Sequence, residues 1–232
     1  MSKRILVVGG VAGGASAAAR ARRLDESAEI IIFEKGPHVS FSNCALPFHL
    51  SGIVEDVDSL VLMDPETFKS QYNIEVRVEN EVIKINREQK TILVKDLTTG
   101  EEYEEHYDKL VLSPGASPIR PASIEGVNNE NVFTVRNVVD IDNLNTHIKK
   151  NNIREIAVVG GGFIGLEVVE NLRLAGLKVS LVEALDQVMA PFDYDMVQIL
   201  HKELMDQGVD LILSDGVKKI GKDHIELQSG RQ

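Results

Sequence analysis

One cysteine, two glycine-rich turns and two carboxylates carry most of the chemical potential of this chain. Cys44 is the single cysteine of 232 residues and lies in Ser40-Phe41-Ser42-Asn43-Cys44-Ala45-Leu46-Pro47-Phe48. It follows a polar Ser-x-x-Asn and precedes a possible helix. A thiol at a helix N-terminus is more often thiolate, the form that attacks disulfides. A buried cysteine that only packs is the other reading of the same residue. Gly160-Gly161-Gly162-Phe163-Ile164-Gly165 fits G-x-G-x-x-G. The first glycine makes the turn, the second lets the backbone approach a pyrophosphate, and the third lets helix and strand pack closely. Glu183, 23 residues after Gly160, stands where a carboxylate accepts hydrogen bonds from an adenosine ribose and repels a 2′-phosphate, which favours NADH over NADPH. Gly9-Gly10-Val11-Ala12-Gly13-Gly14 is a looser version. Val11 takes the place of the second glycine, Gly9 and Gly14 hold the outer positions, and Glu34 follows 25 residues after Gly9. Two such units in one chain suggest two dinucleotides and electron transfer between them.

The strands and helices around these residues are legible from periodicity. Ile5–Val8 is a short apolar run, Ala15–Leu24 an Ala-rich helical segment and Ile30–Glu34 a second apolar run. Together they form a βαβ unit with a parallel sheet. The pattern returns as a strand over Glu155–Val159, a helix over Phe163–Ala175 and a strand over Lys178–Glu183. Between the two units, Ile74–Val78, Glu81–Asn86, Thr91–Lys95 and Glu102–Tyr107 are short, rich in Val, Ile and Thr, and split by turns, with Thr98-Thr99-Gly100 as a hairpin tip. They predict a small antiparallel insertion. Lys109–Ser113 reads as a buried strand ending in Pro114-Gly115, and Asp140–Lys150 as a helix that Asn151 ends. The domain boundary is placed there, giving domains 1–150 and 151–232. Asp193–Gln207 reads as an amphipathic helix capped by Gly208, with strands over Val209–Leu213 and His224–Gln228.

Composition narrows the function classes. The chain carries 25 basic against 36 acidic residues, a net charge of −11, and shows no basic run. That argues against a nucleic-acid partner. A lone cysteine excludes an internal disulfide framework and a Cys-rich zinc site. The six histidines have no metal-ligand spacing, and all but His49 read as surface residues. His49 is close enough in sequence to Cys44 to influence its titration, or is simply a loop residue. The acids of Glu101–Glu105 read as a solvated hairpin. MSKRILVVGG turns glycine-rich too soon for a signal peptide, and no run approaches the ~18 apolar residues of a membrane span. A soluble, cytoplasmic protein without a membrane partner is the expectation.

VVGGVAGGASAAARARRLD, SFSNCALPF, LVLSPGASPIRP, and VVGGGFIGLEVVENL with LVEALDQVM together resemble the coenzyme A-disulfide reductases. These are single-cysteine members of the pyridine nucleotide–disulfide reductase flavoproteins. The likeness runs over essentially the whole chain and leans toward the branch fused to a rhodanese domain, which includes NADH-dependent persulfide and polysulfide reductases. The resemblance implies an α/β fold of two Rossmann-like dinucleotide-binding domains, FAD then NAD(P). It implies Cys44 as the redox-active residue that forms a mixed disulfide with coenzyme A. Ser40 and Asn43 are implied beside the substrate. Ser16, Arg20 and Arg23 on the first helix are implied contacts of coenzyme A. Guanidinium groups suit its phosphates, a solvated helix face being the other reading of these arginines. The FAD contacts implied are Gly9, Gly10, Val11, Ala12, Gly13, Gly14, Glu34 and Lys35, a backbone contact at Val82, and the loop Ser113-Pro114-Gly115. Those of NAD(P)H are Gly160, Gly161, Gly162, Phe163, Ile164, Gly165, Glu167 and Glu183. The implied course runs from NADH to FAD to the Cys44 mixed disulfide, reducing coenzyme A disulfide or a persulfide in a homodimer.

Departures from the wider superfamily sharpen this. Dithiol members carry Cys-x4-Cys, and position 49 here is His49, so an intramolecular disulfide mechanism is excluded. Related peroxidases and oxidases carry a histidine in the first glycine turn, where this chain has Ala12. That lowers the NADH oxidase alternative. Tyr72 stands where some coenzyme A-disulfide reductases have a lysine that holds substrate, which keeps a persulfide substrate open. The family's flavin-contacting Gly-Asp segment and dimerisation domain do not occur before Gln232. The expectation is therefore a partial family fold, which on its own could be a non-catalytic dinucleotide-binding piece.

Overall fold

The computed structural model describes residues 2–232. By internal contacts the chain divides into two compact units, residues 1–42 with 58–116, and residues 43–57 with 117–232.

In the first unit, β1 (Arg4–Val8), β2 (Glu29–Phe33), β3 (Glu75–Arg77) and β7 (Lys109–Leu112) form a parallel sheet of order β3-β2-β1-β7. Strands buried on both faces need apolar side chains on both, and β2 reads EIIIF accordingly. Ile30 and Ile32 face one core with Val7, Ala15, Ala18, Phe68 and Ile74. Ile31 and Phe33 face the other with Leu6, Ile92 and Val94. Helix α1 (Ala12–Leu24) and α3 (Pro65–Tyr72) supply the first face. The antiparallel sheet β4 (Asn80–Asn86), β5 (Thr91–Asp96), β6 (Glu102–His106) supplies the second. Asp64 caps α3 by accepting the Thr67 N–H at 2.7 Å, with Pro65 as its first helical residue. Buried Arg22 closes both helices, donating to the carbonyls of Tyr72 at 2.9 Å, Asn73 at 2.8 Å and Glu26 at 2.7 Å.

One expectation changes here. The segment near Ile74 pairs in parallel with β2 instead of joining the antiparallel insertion, because α3 carries the chain across as a crossover helix. The other three segments form the insertion as read, and the hairpin tip lies at Gly100, whose φ is +78°.

Glu105 ties this unit together. Its carboxylate lies 2.6 Å from Arg77 Nη1 and 2.6 Å from Arg4 Nη2. Burial pushes the carboxyl up, and hydrogen bonds and charge from Arg77 and Arg4 outweigh it, holding it below the usual carboxylate range. A depressed acid stabilises the fold above its unfolded pKa, and that contribution is lost as pH falls through the folded value. Glu105→Gln is therefore expected to cost about 1–3 kcal/mol at neutral pH. The gap between variant and wild type should close in urea melts taken below pH ~3.

In the second unit, β8 (Glu155–Val159), β9 (Lys178–Val182) and β10 (Asp210–Ile212) form a parallel sheet of order β10-β9-β8. Helices α5 (Phe163–Leu174) and α6 (Tyr194–Asp206) connect them. A hairpin of β11 (Val217–Ile220) and β12 (Ile225–Leu227) packs on Val182. Helix α4 (Val138–Lys150) and the short α2 (Phe48–Ser51) also belong to this unit. Contacts thus group 43–57 and 117–150 with the second unit, whereas the sequence motifs lead one to expect a boundary near Asn151. Among the described residues no helix is long and apolar enough to cross a membrane.

His201 corrects the reading of it as a surface residue. It is buried on α6, and its Nε2 accepts the Val188 N–H at 3.2 Å. Burial pushes its pKa down, as expected for an imidazole whose lone pair is in use.

Candidate functional site

The two glycine turns are built alike. Gly9 and Gly160 take φ +91° and +104°, a region that favours glycine, and their N–H groups bond Phe33 O and Val182 O at 2.8 Å each. Gly14 and Gly165 sit on the carbonyls of those residues. A Cβ at Gly14 would lie 1.7 Å from Gly9 O, and one at Gly165 2.0 Å from Gly160 O. The acid closing the second strand reaches back in both units. Glu34 accepts from Gly10 N at 2.8 Å and Gly36 N at 2.9 Å. Glu183 accepts from Gly161 N at 2.7 Å and Leu185 N at 2.9 Å. Each carboxylate therefore splints its own turn while its remaining lone pairs stay available to a ligand.

The parallel extends past the acid, where the sequence reading did not look. Buried Val39 and Val188 abut the middle glycines, and a Cβ at Gly10 or Gly161 would come within 2.6 Å or 2.7 Å of them. The next residue in each case is a non-glycine at φ +50°, Ser40 and Met189, whose N–H bonds the carbonyl of Gly10 at 2.9 Å or Gly161 at 2.8 Å. A signal existed, since Glu34-x4-Val39 and Glu183-x4-Val188 share one spacing. Ser40 is thus held in a sparsely populated conformation by its contact with the turn, a strain that clusters at functional sites.

The position that breaks the first motif is informative. Gly162 has φ −80° and a Cβ there would meet nothing within 4 Å, so neither backbone nor packing demands glycine. The space beside it is open. Val11, the matching residue, has φ −94° and stands at the head of α1 in the same role. Each helix start presents the unpaired N–H groups and partial positive charge that suit a pyrophosphate. The donor set fits a dinucleotide in both turns, with the wider approach at the second.

Around the first turn the structure gathers further expected residues. Ser113 donates its N–H to Val8 O at 2.8 Å, and its carbonyl would lie 2.0 Å from a Cβ on Gly9, so Ser113-Pro114-Gly115 lies against the turn. Val82 packs on the second core and precedes a bulge between Val82 and Lys84 in an edge strand, which leaves backbone groups unpaired there. Lys35 is exposed. Ser16, Arg20 and Arg23 share one exposed face of α1, at i, i+4 and i+7.

The second unit holds the thiol. Cys44 is exposed, in a single 3-10 turn over Asn43–Ala45, and the helix after it is only four residues long. Exposure removes the reading of Cys44 as a buried packing residue. Ser40 groups with the first unit and Asn43 with the second. His49 is buried; its Nδ1 meets Val54 O at 2.8 Å and its Nε2 meets Asn145 Nδ2 at 2.8 Å. A carbonyl requires a donor, so Nδ1 carries the proton and Nε2 accepts. His49 is a structural tie. Phe163 and Ile164 are exposed beside the second turn, Phe163 meeting Phe192 edge-on at 6.2 Å, and Glu167 is exposed one turn on. Among the described residues no group of three or more His, Cys, Asp or Glu is placed to hold a metal ion.

Comparison with known proteins agrees with this geometry. The family model of the pyridine nucleotide-disulphide oxidoreductases matches residues 3–232. A coenzyme A disulfide reductase of Staphylococcus aureus (strain JH9) is 40% identical over 228 residues, which is 98% of this chain and 51% of that protein. The crystal structure of reduced CoADR-RHD from Bacillus anthracis superposes with a TM-score of 0.96 at 46% identity, covering 100% of this chain and 42% of that one. An NAD-dependent persulfide reductase from A. fulgidus gives a TM-score of 0.93 at 32% identity, covering 98% and 43%. The chain spans about half the length of these relatives.

Proposed function

Because this chain belongs to the pyridine nucleotide-disulphide oxidoreductases, we propose that it reduces coenzyme A disulfide or a coenzyme A or thiol persulfide with electrons from NADH, through FAD and Cys44. The observation that carries the reading is the pair of identically splinted glycine turns together with one exposed cysteine. FAD is assigned to the first turn with Glu34, Lys35, Val82 and the Ser113-Pro114-Gly115 loop, and NADH to the second with Phe163, Ile164, Glu167 and Glu183. When bound, the flavin supplies two-electron transfer between a nicotinamide and a disulfide. The Cys44 thiolate attacks one sulfur of the substrate disulfide; a new S–S bond forms to Cys44, the old one breaks, and one thiolate leaves. Two electrons then return Cys44 to thiolate and free the second thiol. With a persulfide, the same exchange ends in thiol and sulfide. Exposure gives the substrate access to the sulfur. Arg20 and Arg23, with Ser16, are assigned to the phosphates of coenzyme A. Ser40 and Asn43 flank the thiol in sequence and are assigned to the substrate. The whole protein is expected to act as a homodimer.

The test is NADH oxidation driven by coenzyme A disulfide and, separately, by a persulfide, compared as kcat/KM. Turnover of either supports the reading, and turnover of neither by the full-length protein overturns it. The nucleotide preference rests on the Glu183 charge. Glu183→Gln keeps an acceptor for Gly161 N and removes the charge that repels a 2′-phosphate. The NADH-over-NADPH ratio of kcat/KM should fall about tenfold, the size of one lost ~1.4 kcal/mol interaction. An unchanged ratio counts against that assignment.

A further inference from the structure

The segment that carries Cys44 is fastened to two helices of the second unit by buried polar contacts that the proposed chemistry does not use. His49 accepts from Asn145 of α4 at 2.8 Å. Ser51 Oγ donates to Asn171 Oδ1 of α5 at 2.7 Å. Asn171 is 0% exposed, and its Nδ2 donates to Glu167 O at 2.8 Å, which fixes which end of the amide faces Ser51. Helix α5 begins at the second glycine turn, nine residues before Asn171 counted from Gly162. At ~1.5 Å per residue the turn and Asn171 are about 13 Å apart on one rigid rod. A helix that shifts when a pyrophosphate settles on its first turn carries Asn171 with it. Ser51 follows, because parting would leave a fully buried amide oxygen without a partner.

We propose that Asn171 and Ser51 are positioning residues that couple occupancy of the second glycine turn to the thiol reactivity of Cys44. This rests on the assignment of NADH to that turn. In the free chain the Cys44 segment samples one placement, and nucleotide on α5 shifts it to another.

Cys44 is the one cysteine of these 232 residues, so in this chain a thiol-specific aromatic disulfide reports Cys44 alone. NAD+ is the probe, because it fills the turn without delivering electrons. Calorimetry gives its affinity, and the exchange rate of Cys44 is read with and without saturating NAD+. In wild type the rate should change about fivefold. Ser51→Ala should bind NAD+ within about twofold of wild type yet lose the rate response, and Ser51→Thr, which keeps the hydroxyl, should restore it. A purely structural role for Ser51 predicts a shifted rate with the NAD+ response intact. NAD+ binding without a rate change in wild type, or a full response in Ser51→Ala, overturns the coupling and leaves the nucleotide assignment standing. Absence of NAD+ binding overturns the assignment and the coupling with it.

Discussion

Replacing Cys44 by Ser is expected to lower NADH-dependent turnover of coenzyme A disulfide and persulfide by about a thousandfold or more in the full-length protein, as loss of a covalent nucleophile does elsewhere. The hydroxyl is nearly isosteric, and Cys44 is exposed on a short 3-10 turn, so the fold should be unaffected. These 232 residues hold no second cysteine to take over. The same variant should still bind NADH and still pass hydride to bound flavin, because neither glycine turn contains residue 44. Steady-state assays with both substrates, alongside single-turnover flavin reduction, separate the two halves of the reaction. Retained disulfide turnover in the variant would refute the role given to Cys44.

The second large effect comes from one pair of glycines in one turn. A methyl on Gly165 would sit 2.0 Å from Gly160 O, and backbone cannot retreat as a side chain can. Gly165→Ala should therefore force α5 off the end of β8, costing about 3 kcal/mol in stability and abolishing NADH binding. Gly162→Ala offers the contrast. Its Cβ meets nothing within 4 Å and its φ of −80° suits any residue. Its stability cost should stay below ~1 kcal/mol, the loss from a poorer N-cap. NADH affinity should still fall about tenfold or more, because the methyl occupies space meant for the pyrophosphate. Thermal melts and NADH titrations on the two variants distinguish a glycine that serves the fold from one that serves the ligand. Equal affinity losses without the stability difference would count against this division.

Much of this arrangement could be read from sequence because its determinants are local. The glycine spacing, the apolar runs on either side and the acids at Glu34 and Glu183 are neighbours along the chain, and the βαβ units follow from them. Helix α3 also had local signals, Asp64 and Pro65, that the reading passed over, and its omission sent β3 to the wrong sheet. The strand β11 is four residues long and gains its place by pairing with β12 and packing on Val182, so no periodicity announced it. What the chain could not disclose locally is where the cysteine segment docks. His49 meets Asn145 across 96 residues, and Ser51 meets Asn171 across 120. The burial of His201 escaped for the same reason, since its partner is the Val188 N–H of a loop whose course depends on the second turn.

One electron path served by both turns is the central expectation. The most direct measurement is anaerobic reduction of the FAD-loaded full-length protein by NADH, followed by flavin absorbance after free FAD is removed. One FAD per chain is expected, with loss of the oxidised-flavin absorbance on adding one equivalent of NADH, and no retained FAD when Gly14→Ala drives a methyl into the Gly9 carbonyl. A protein that takes up no FAD, or whose flavin stays oxidised in the presence of NADH, contradicts it.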